Sequence, residues 1–235
     1  MIEKLPSGIS SLAASAAMQT QEAMLEIKKQ EKQLFIGIPK ETSFQENRIP
    51  LIPESISLLV NNGHEIIIEA GAGAASNIQD SDFSEAGARI VYTAEEVYKA
   101  DIILKVAPPS QAELDMIQQK QYLISILQMS MQSNDFIRQL SAKKVSAIGY
   151  EFIHDESGVY PIIQAMSEIV GSTCILIAAE YLSNAFNGKG ELLGGVAGIP
   201  PTEVVIIGAG SVGEYAARTA MGLGANIKVF DNSVH

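Results

Sequence analysis

From Leu34 onward, short apolar runs alternate with longer stretches of helical periodicity. Leu34–Ile38, Glu65–Glu69, Ile102–Val106, Tyr122–Leu127 and Val145–Gly149 read as strands. Helical patterns lie between them near Pro53–Asn61, Ala94–Ala100, Ala112–Gln119 and Asn134–Ala142. Gly63 follows the first of these helices, where a glycine suits the left-handed residue that ends it. Such alternation predicts a parallel sheet with helices on its faces. Asp155–Gly158 reads as a turn. Beyond it, Ile162–Phe186 is a long helical stretch with little polar surface, expected to be buried between layers or domains.

Two segments depart from this rhythm. Ser10–Lys32 lacks Gly and Pro and is rich in good helix formers with sparse apolar positions, so residues 1–33 read as a solvated helical extension. At the other end, Glu203–Ile207 runs straight into Gly208-Ala-Gly210-Ser211-Val212-Gly213, a helix to Leu223, Gly224, and a second strand Asn226–Phe230 that ends at Asp231. Each part has a physical task in dinucleotide binding. Gly208 permits the turn out of the strand, and Gly210 lets a pyrophosphate approach the backbone. Gly213 lets helix and strand pack closely. Free N–H groups and the positive dipole end of the helix face the phosphates. Asp231, at the end of the second strand, suits the ribose hydroxyls and repels a 2′-phosphate, which favours NAD over NADP.

Composition narrows the classes. Apolar residues make up 47% and charged residues 18%, which supplies a core and excludes disorder. The net charge of −11 argues against binding to nucleic acid or an anionic membrane surface. One cysteine, Cys174, excludes an internal disulfide framework and fits a reducing cytoplasm. With three histidines and one cysteine, no metal site is expected. No apolar run reaches the roughly 18–20 residues of a membrane span.

Further motifs recur in a set order: Ile36-Gly-Ile-Pro-Lys-Glu41, Asn47-Arg48-Ile-Pro-Leu51, Gly71-Ala-Gly73, Leu104-Lys105-Val106, Met166-Ser167-Glu168 and Gly194-Gly195-Val196. In this order and spacing the chain resembles the alanine dehydrogenase and proton-translocating transhydrogenase alpha-subunit family over residues 34–235. The resemblance implies a substrate domain of βα units, 34–165, then an interdomain helix and the start of a Rossmann NAD-binding domain, 166–235. It makes Arg48 and Lys105 the groups that hold a substrate carboxylate and carbonyl. A guanidinium suits bidentate capture of a carboxylate. A lysine at the carboxyl end of a strand lies where open α/β sheets bind ligands. The resemblance also places Ser167, Ser211 and Val212 against NAD; read alone, Ser167 also suits a helix N-cap. Glu151 is a structural or supporting residue.

One position departs from the dehydrogenase pattern. Where that family carries a histidine in a tyrosine-leucine-histidine-leucine motif, this chain has Ile126-Leu127-Gln128-Met129. Gln128 can orient a carbonyl but cannot shuttle a proton near neutral pH. His64 and His154 suit surface or turn positions, and His235 is terminal. The resemblance therefore implies NAD-dependent interconversion of L-alanine with pyruvate and ammonia, in a cytoplasmic homo-oligomer. The alternatives are the NAD-binding alpha subunit of a transhydrogenase, or an inactive NAD-binding relative. The transhydrogenase loop ahead of the interdomain helix carries an arginine, whereas His154–Pro161 has none. The fingerprint stops after two strands, so these 235 residues alone are expected to lack dehydrogenase activity.

Overall fold

The computed structural model describes residues 33–233. The expected helix within 1–33 thus lies outside the described residues, apart from Gln33, and so does His235. Six strands form one parallel sheet: β1 (Phe35–Ile38), β2 (Glu65–Glu69), β3 (Arg89–Val91), β4 (Ile102–Leu104), β5 (Tyr122–Ser125) and β6 (Ser146–Gly149). Their spatial order is β3-β2-β1-β4-β5-β6. The chain runs outward from β1 in one direction, then crosses back to β4 and runs outward in the other. The pair β1/β4 is therefore the topological switch point, with Ile36 opposite Ile66 on one side and Ile102 on the other.

Side chains alternate across this sheet, so each face needs its own cover. On one face, Ile36, Ile38, Ile66, Ile68 and Leu104 pack against Ile56 of α1 (Pro53–Asn61) and Phe83 of α2 (Asp80–Glu85). On the other, Ile67, Ile103 and Leu123 meet Val97 of α3 (Ala94–Val97), Leu114 of α4 (Gln111–Met116), and Phe136 and Leu140 of α5 (Asn134–Ala142). Each isoleucine or leucine sealed this way contributes about 1.5–3 kcal/mol relative to exposure. The expected parallel sheet is present, and Gly63 takes the left-handed conformation that ends α1 (φ 89°).

Several elements differ from the sequence reading. β3 and α2 were not foreseen, because three residues of strand and six of helix carry too little periodicity to register. α4 stops at Met116 rather than Gln119, since Ile117 turns extended (ψ 130°). Lys143 Nζ donates to the carbonyls of Leu114, Asp115 and Ile117, which satisfies that end from outside the helix.

The remaining chain builds a smaller unit. α6 (Pro161–Leu182) crosses α7 (Ser211–Gly222), which connects the parallel strands β7 (Glu203–Ile207) and β8 (Asn226–Phe230). Ile175, Leu193, Ala216 and Ala220 form its core. A Cβ on Gly171 would lie 2.4 Å from the Val212 carbonyl oxygen, so this residue sets how closely α6 approaches α7. The expectation that the long helix is buried is corrected: only Gly171 and Ile175 of α6 are buried. Among the described residues α7 packs along one side, and Ile169, Val170, Leu176 and Tyr181 remain exposed. The expectation about apolar length is corrected too. At 22 residues, interrupted by the charges of Glu168 and Glu180 alone, α6 is long and apolar enough to cross a membrane by length and composition.

Candidate active site

The switch point collects charge. Glu41 follows β1 and Lys105 follows β4, so adjacent strands deliver them to the carboxyl edge of the sheet. Lys105 is fully buried, and its Nζ lies 2.8 Å from Glu41 Oε2 and 3.1 Å from Glu113 Oε1. Glu41 Oε1 also accepts from the Val106 N–H at 2.5 Å. Glu113 is held by a capping box: it accepts from the N–H and hydroxyl of Ser110, and Ser110 Oγ accepts from the Glu113 N–H. Two carboxylates share one ammonium, and the Val106 N–H and the N–H and hydroxyl of Ser110 satisfy their other oxygens. Lys105 thus occupies the predicted strand end, but its ammonium is turned inward onto two carboxylates. Among the described residues the buried Tyr98 and Ser125 hydroxyls have no hydrogen-bond partner. Burial, then the negative charge of Glu113, raises the Tyr98 phenol well above its ordinary value.

Arg48 sits in the loop after β1, half exposed. Its Nε donates to Glu46 Oε1 at 2.7 Å and its Nη2 to Glu46 Oε2 at 2.6 Å. The Arg48 N–H also donates to Oε1 at 3.1 Å. These Arg48 bonds hold the Glu46 carboxyl below the usual carboxylate range, with a smaller contribution from the charge of Lys105. Glu46 in turn raises Arg48, and Glu41 adds to this. The two predicted substrate cations therefore share one electrostatic neighbourhood. Arg48 Nη1 reaches Met166 Sδ of α6 at 3.4 Å, which ties the substrate edge to the smaller unit.

Gln128 is exposed just beyond β5, in the left-handed conformation (φ 47°). Glu151 stabilises that turn by accepting from the Gln128 N–H at 2.8 Å and the Leu127 N–H at 3.0 Å. Among the described residues no histidine takes the missing role by position. His64 lies at the amino end of β2, where its Nδ1 meets the Leu34 N–H. His154 is in an exposed turn, edge-on to Tyr160.

The glycine loop opens a cleft of about 450 Å³ lined by Ser167, Cys174, Gly208, Gly210, Ser211, Val212 and Gly213. All the cofactor residues read from the sequence except Asp231 line it. Ser167 lies inside α6, so the N-cap reading is corrected; Tyr160 caps that helix. Gly208 has φ 104°. A Cβ on Gly213 would come within 2.0 Å of the Gly208 carbonyl oxygen, whereas one on Gly210 would meet nothing within 4 Å. Gly213 is thus required by packing, and Gly210 leaves room for an approaching group. Asp231 Oδ2 accepts from the Ala209 N–H at 2.6 Å, and Oδ1 accepts from the N–H and hydroxyl of Ser233. These bonds, Ser233 first, lower its carboxyl to about 2. A strand-end carboxylate, an open glycine and a helix N-terminus form a donor and acceptor set that fits the adenosine and pyrophosphate of a dinucleotide. Among the described residues no cluster of His, Cys, Asp or Glu could hold a metal ion.

A larger hollow of about 600 Å³ opens beside Lys99, Asp101 and Lys120 at the amino end of the sheet. Open α/β sheets bind ligands at the opposite end, where the charged cluster and glycine loop lie. Sequence reasoning missed Glu41, Glu46 and Met166. Glu113 had a signal, the Ser-x-x-Glu capping pattern. Gly171 had none, because its need arises only from the helix crossing.

A doubly wound sheet with a charged switch point, joined through one long helix to a glycine-loop βαβ unit, defines a two-unit α/β protein of the dinucleotide-binding class. The particular family follows from sequence: the chain belongs to the alanine dehydrogenase/PNT family. Its N-terminal domain model matches residues 37–170 and its C-terminal domain model residues 174–235. Alanine dehydrogenase of Mycolicibacterium smegmatis is 39% identical over 203 residues, which is 86% of this chain and 54% of that protein. Alanine dehydrogenase of Methanococcus maripaludis is also 39% identical, over 84% of this chain and 53% of that protein. Among solved structures, an L-alanine dehydrogenase superposes with TM-score 0.79 at 38% identity, over 85% of this chain and 55% of that one. A transhydrogenase from Sinorhizobium meliloti gives 0.72 at 26%, over 85% and 57%. The chain spans about half the length of the curated relatives it matches.

Proposed function

We propose that the protein containing this chain interconverts L-alanine with pyruvate and ammonia, using NAD, as a cytoplasmic homo-oligomer. The observation that carries this reading is the meeting of Arg48 with Met166, next to Ser167 of the glycine-loop cleft. It brings a guanidinium next to the cleft of the glycine loop, which supports a substrate carboxylate and a dinucleotide meeting there. The proposed domain limits are 34–165 for the substrate unit and 166–235 for the helix and nucleotide unit.

In this reading, Gly208, Gly210, Ser211, Val212 and Gly213 hold the pyrophosphate through backbone N–H groups, with Ser167 on the facing helix. Asp231 accepts from the ribose hydroxyls, and its negative charge disfavours a 2′-phosphate. NAD, when bound, supplies a hydride acceptor. Arg48 anchors the substrate carboxylate. Lys105 polarises the keto oxygen, for which its ammonium must leave one carboxylate of the buried cluster. Gln128 orients the substrate by hydrogen bonding, and the proton transfers fall to another group. Oxidation of NADH dependent on both pyruvate and ammonia, measured on the intact protein, tests the proposal. No turnover with these substrates overturns it.

A second reading rests on Gln128, which cannot do the work of the dehydrogenase histidine. In it the protein is a nucleotide-binding subunit that passes hydride to an NADP-binding partner. Exchange between NADH and an NADP analogue, seen only with that partner present, would favour it.

A further inference from the structure

We propose that Glu46 is a positioning residue for the substrate: it holds the guanidinium of Arg48 side-on, so that the ligand carboxylate docks end-on. This rests on the reading of Arg48 as the carboxylate anchor. A guanidinium offers five N–H donors in a fixed plane, with a side-on fork at Nε and one Nη and an end-on fork at the two Nη atoms. Glu46 fills the side-on fork with bonds of 2.7 and 2.6 Å. It is itself fixed by the Arg48 N–H two residues along the chain, and only 11% of its side chain is exposed. The arginine therefore keeps its plane without a ligand. The end-on fork faces α6, where, among the described residues, Nη1 finds only the thioether of Met166 at 3.4 Å. A thioether is a weak acceptor, so an incoming carboxylate displaces it readily. An arginine without Glu46 would accept a carboxylate at either fork. Preorganisation of this kind reduces the cost of ordering the side chain on binding.

The experiment measures pyruvate KM and kcat, with calorimetric binding of oxamate in the presence of NADH, on the intact protein. Glu46→Ala is expected to raise the KM and the oxamate Kd about tenfold, the scale of one charge-assisted interaction, with kcat within about twofold. Glu46→Gln keeps one acceptor for Nε and should give a smaller rise in the same direction. It also carries the test if the alanine variant does not fold. Unchanged oxamate affinity in both Glu46 variants, while Arg48→Ala abolishes binding, overturns the role of Glu46 alone. Unchanged affinity in Arg48→Ala overturns the anchor reading and this inference with it. A loss of kcat and melting temperature with KM unmoved marks Glu46 as merely structural and also overturns the inference.

Discussion

The six-stranded unit and the glycine-loop unit solve the same problem at different depths. In the first, helices cover both faces of the sheet, and even a lysine is sealed in at the carboxyl edge. In the second, two strands and two helices share a core of four buried residues, while Val205, Ile207, Val229 and Phe230 of the strands remain exposed. Charge follows the same division. The first unit holds its site cations inside ion pairs, and the second presents its one site carboxylate to solvent on the end of a strand. Removing the sealed Lys105 should therefore act on folding in the first unit, and filling the open space at Gly210 should act on ligand access in the second.

Lys105→Met makes the sharpest test of that contrast. It keeps the volume but leaves Glu41 and Glu113 buried without their cation. Breaking a buried pair by removing one partner costs about 3–5 kcal/mol, because the orphaned charge stays desolvated. Urea unfolding followed by far-UV circular dichroism should show a loss of that size. A loss below about 1 kcal/mol would mean that the cluster opens to water and that the two units do not differ in this way.

The glycine loop separates packing from access within a few residues. Gly213→Ala forces a methyl group against the Gly208 carbonyl, at a cost of about 1–3 kcal/mol for overpacking. Gly210→Ala meets no protein atom and should leave stability within about 0.5 kcal/mol. On the proposed function it fills the space that a pyrophosphate takes, so NADH affinity, read by fluorescence titration, should fall about tenfold or more, as unrelieved overlap of about 1.4 kcal/mol would give. Gly210→Ala with normal affinity would show that the phosphates lie elsewhere.

Legibility from sequence followed the same division. The strands β1, β2 and β4 announced themselves because strands buried on both faces read as apolar runs, and β5 and the exposed edge strand β6 were legible from the same short apolar patterns. The glycine loop was legible because its spacing is dictated by local backbone geometry. Long-range pairing was not. Nothing in the run Leu104-Lys105-Val106 says that Glu41, from the loop after β1, and Glu113, from α4, will converge on the ammonium. The apolar helix α6 misled for a related reason: composition reports what a helix could bury, whereas burial depends on which elements lie against it. The lone Gln128 was visible as a departure, but its left-handed backbone and the grip of Glu151 needed the fold.

Asp231 carries the smallest expected effect on stability and the clearest pH signature. Its carboxyl is lowered from an ordinary value of 3.8 to about 2, because the charged form accepts from Ser233 and the Ala209 N–H. For a carboxylate lowered in the folded state, the added stability is present above the unfolded value and is lost as pH falls through the folded one. The tie between β8 and the glycine loop should therefore hold at about pH 5 and weaken as the pH falls from about 4 to about 2. Carbon-detected NMR of the Asp231 carboxyl, followed with the Ala209 amide, should give one shared midpoint near 2. A midpoint near 3.8 with a still Ala209 amide would show a free carboxylate. The loop would then be set by its glycines alone, and the solvent-facing acid would be available to a ligand without first leaving a partner.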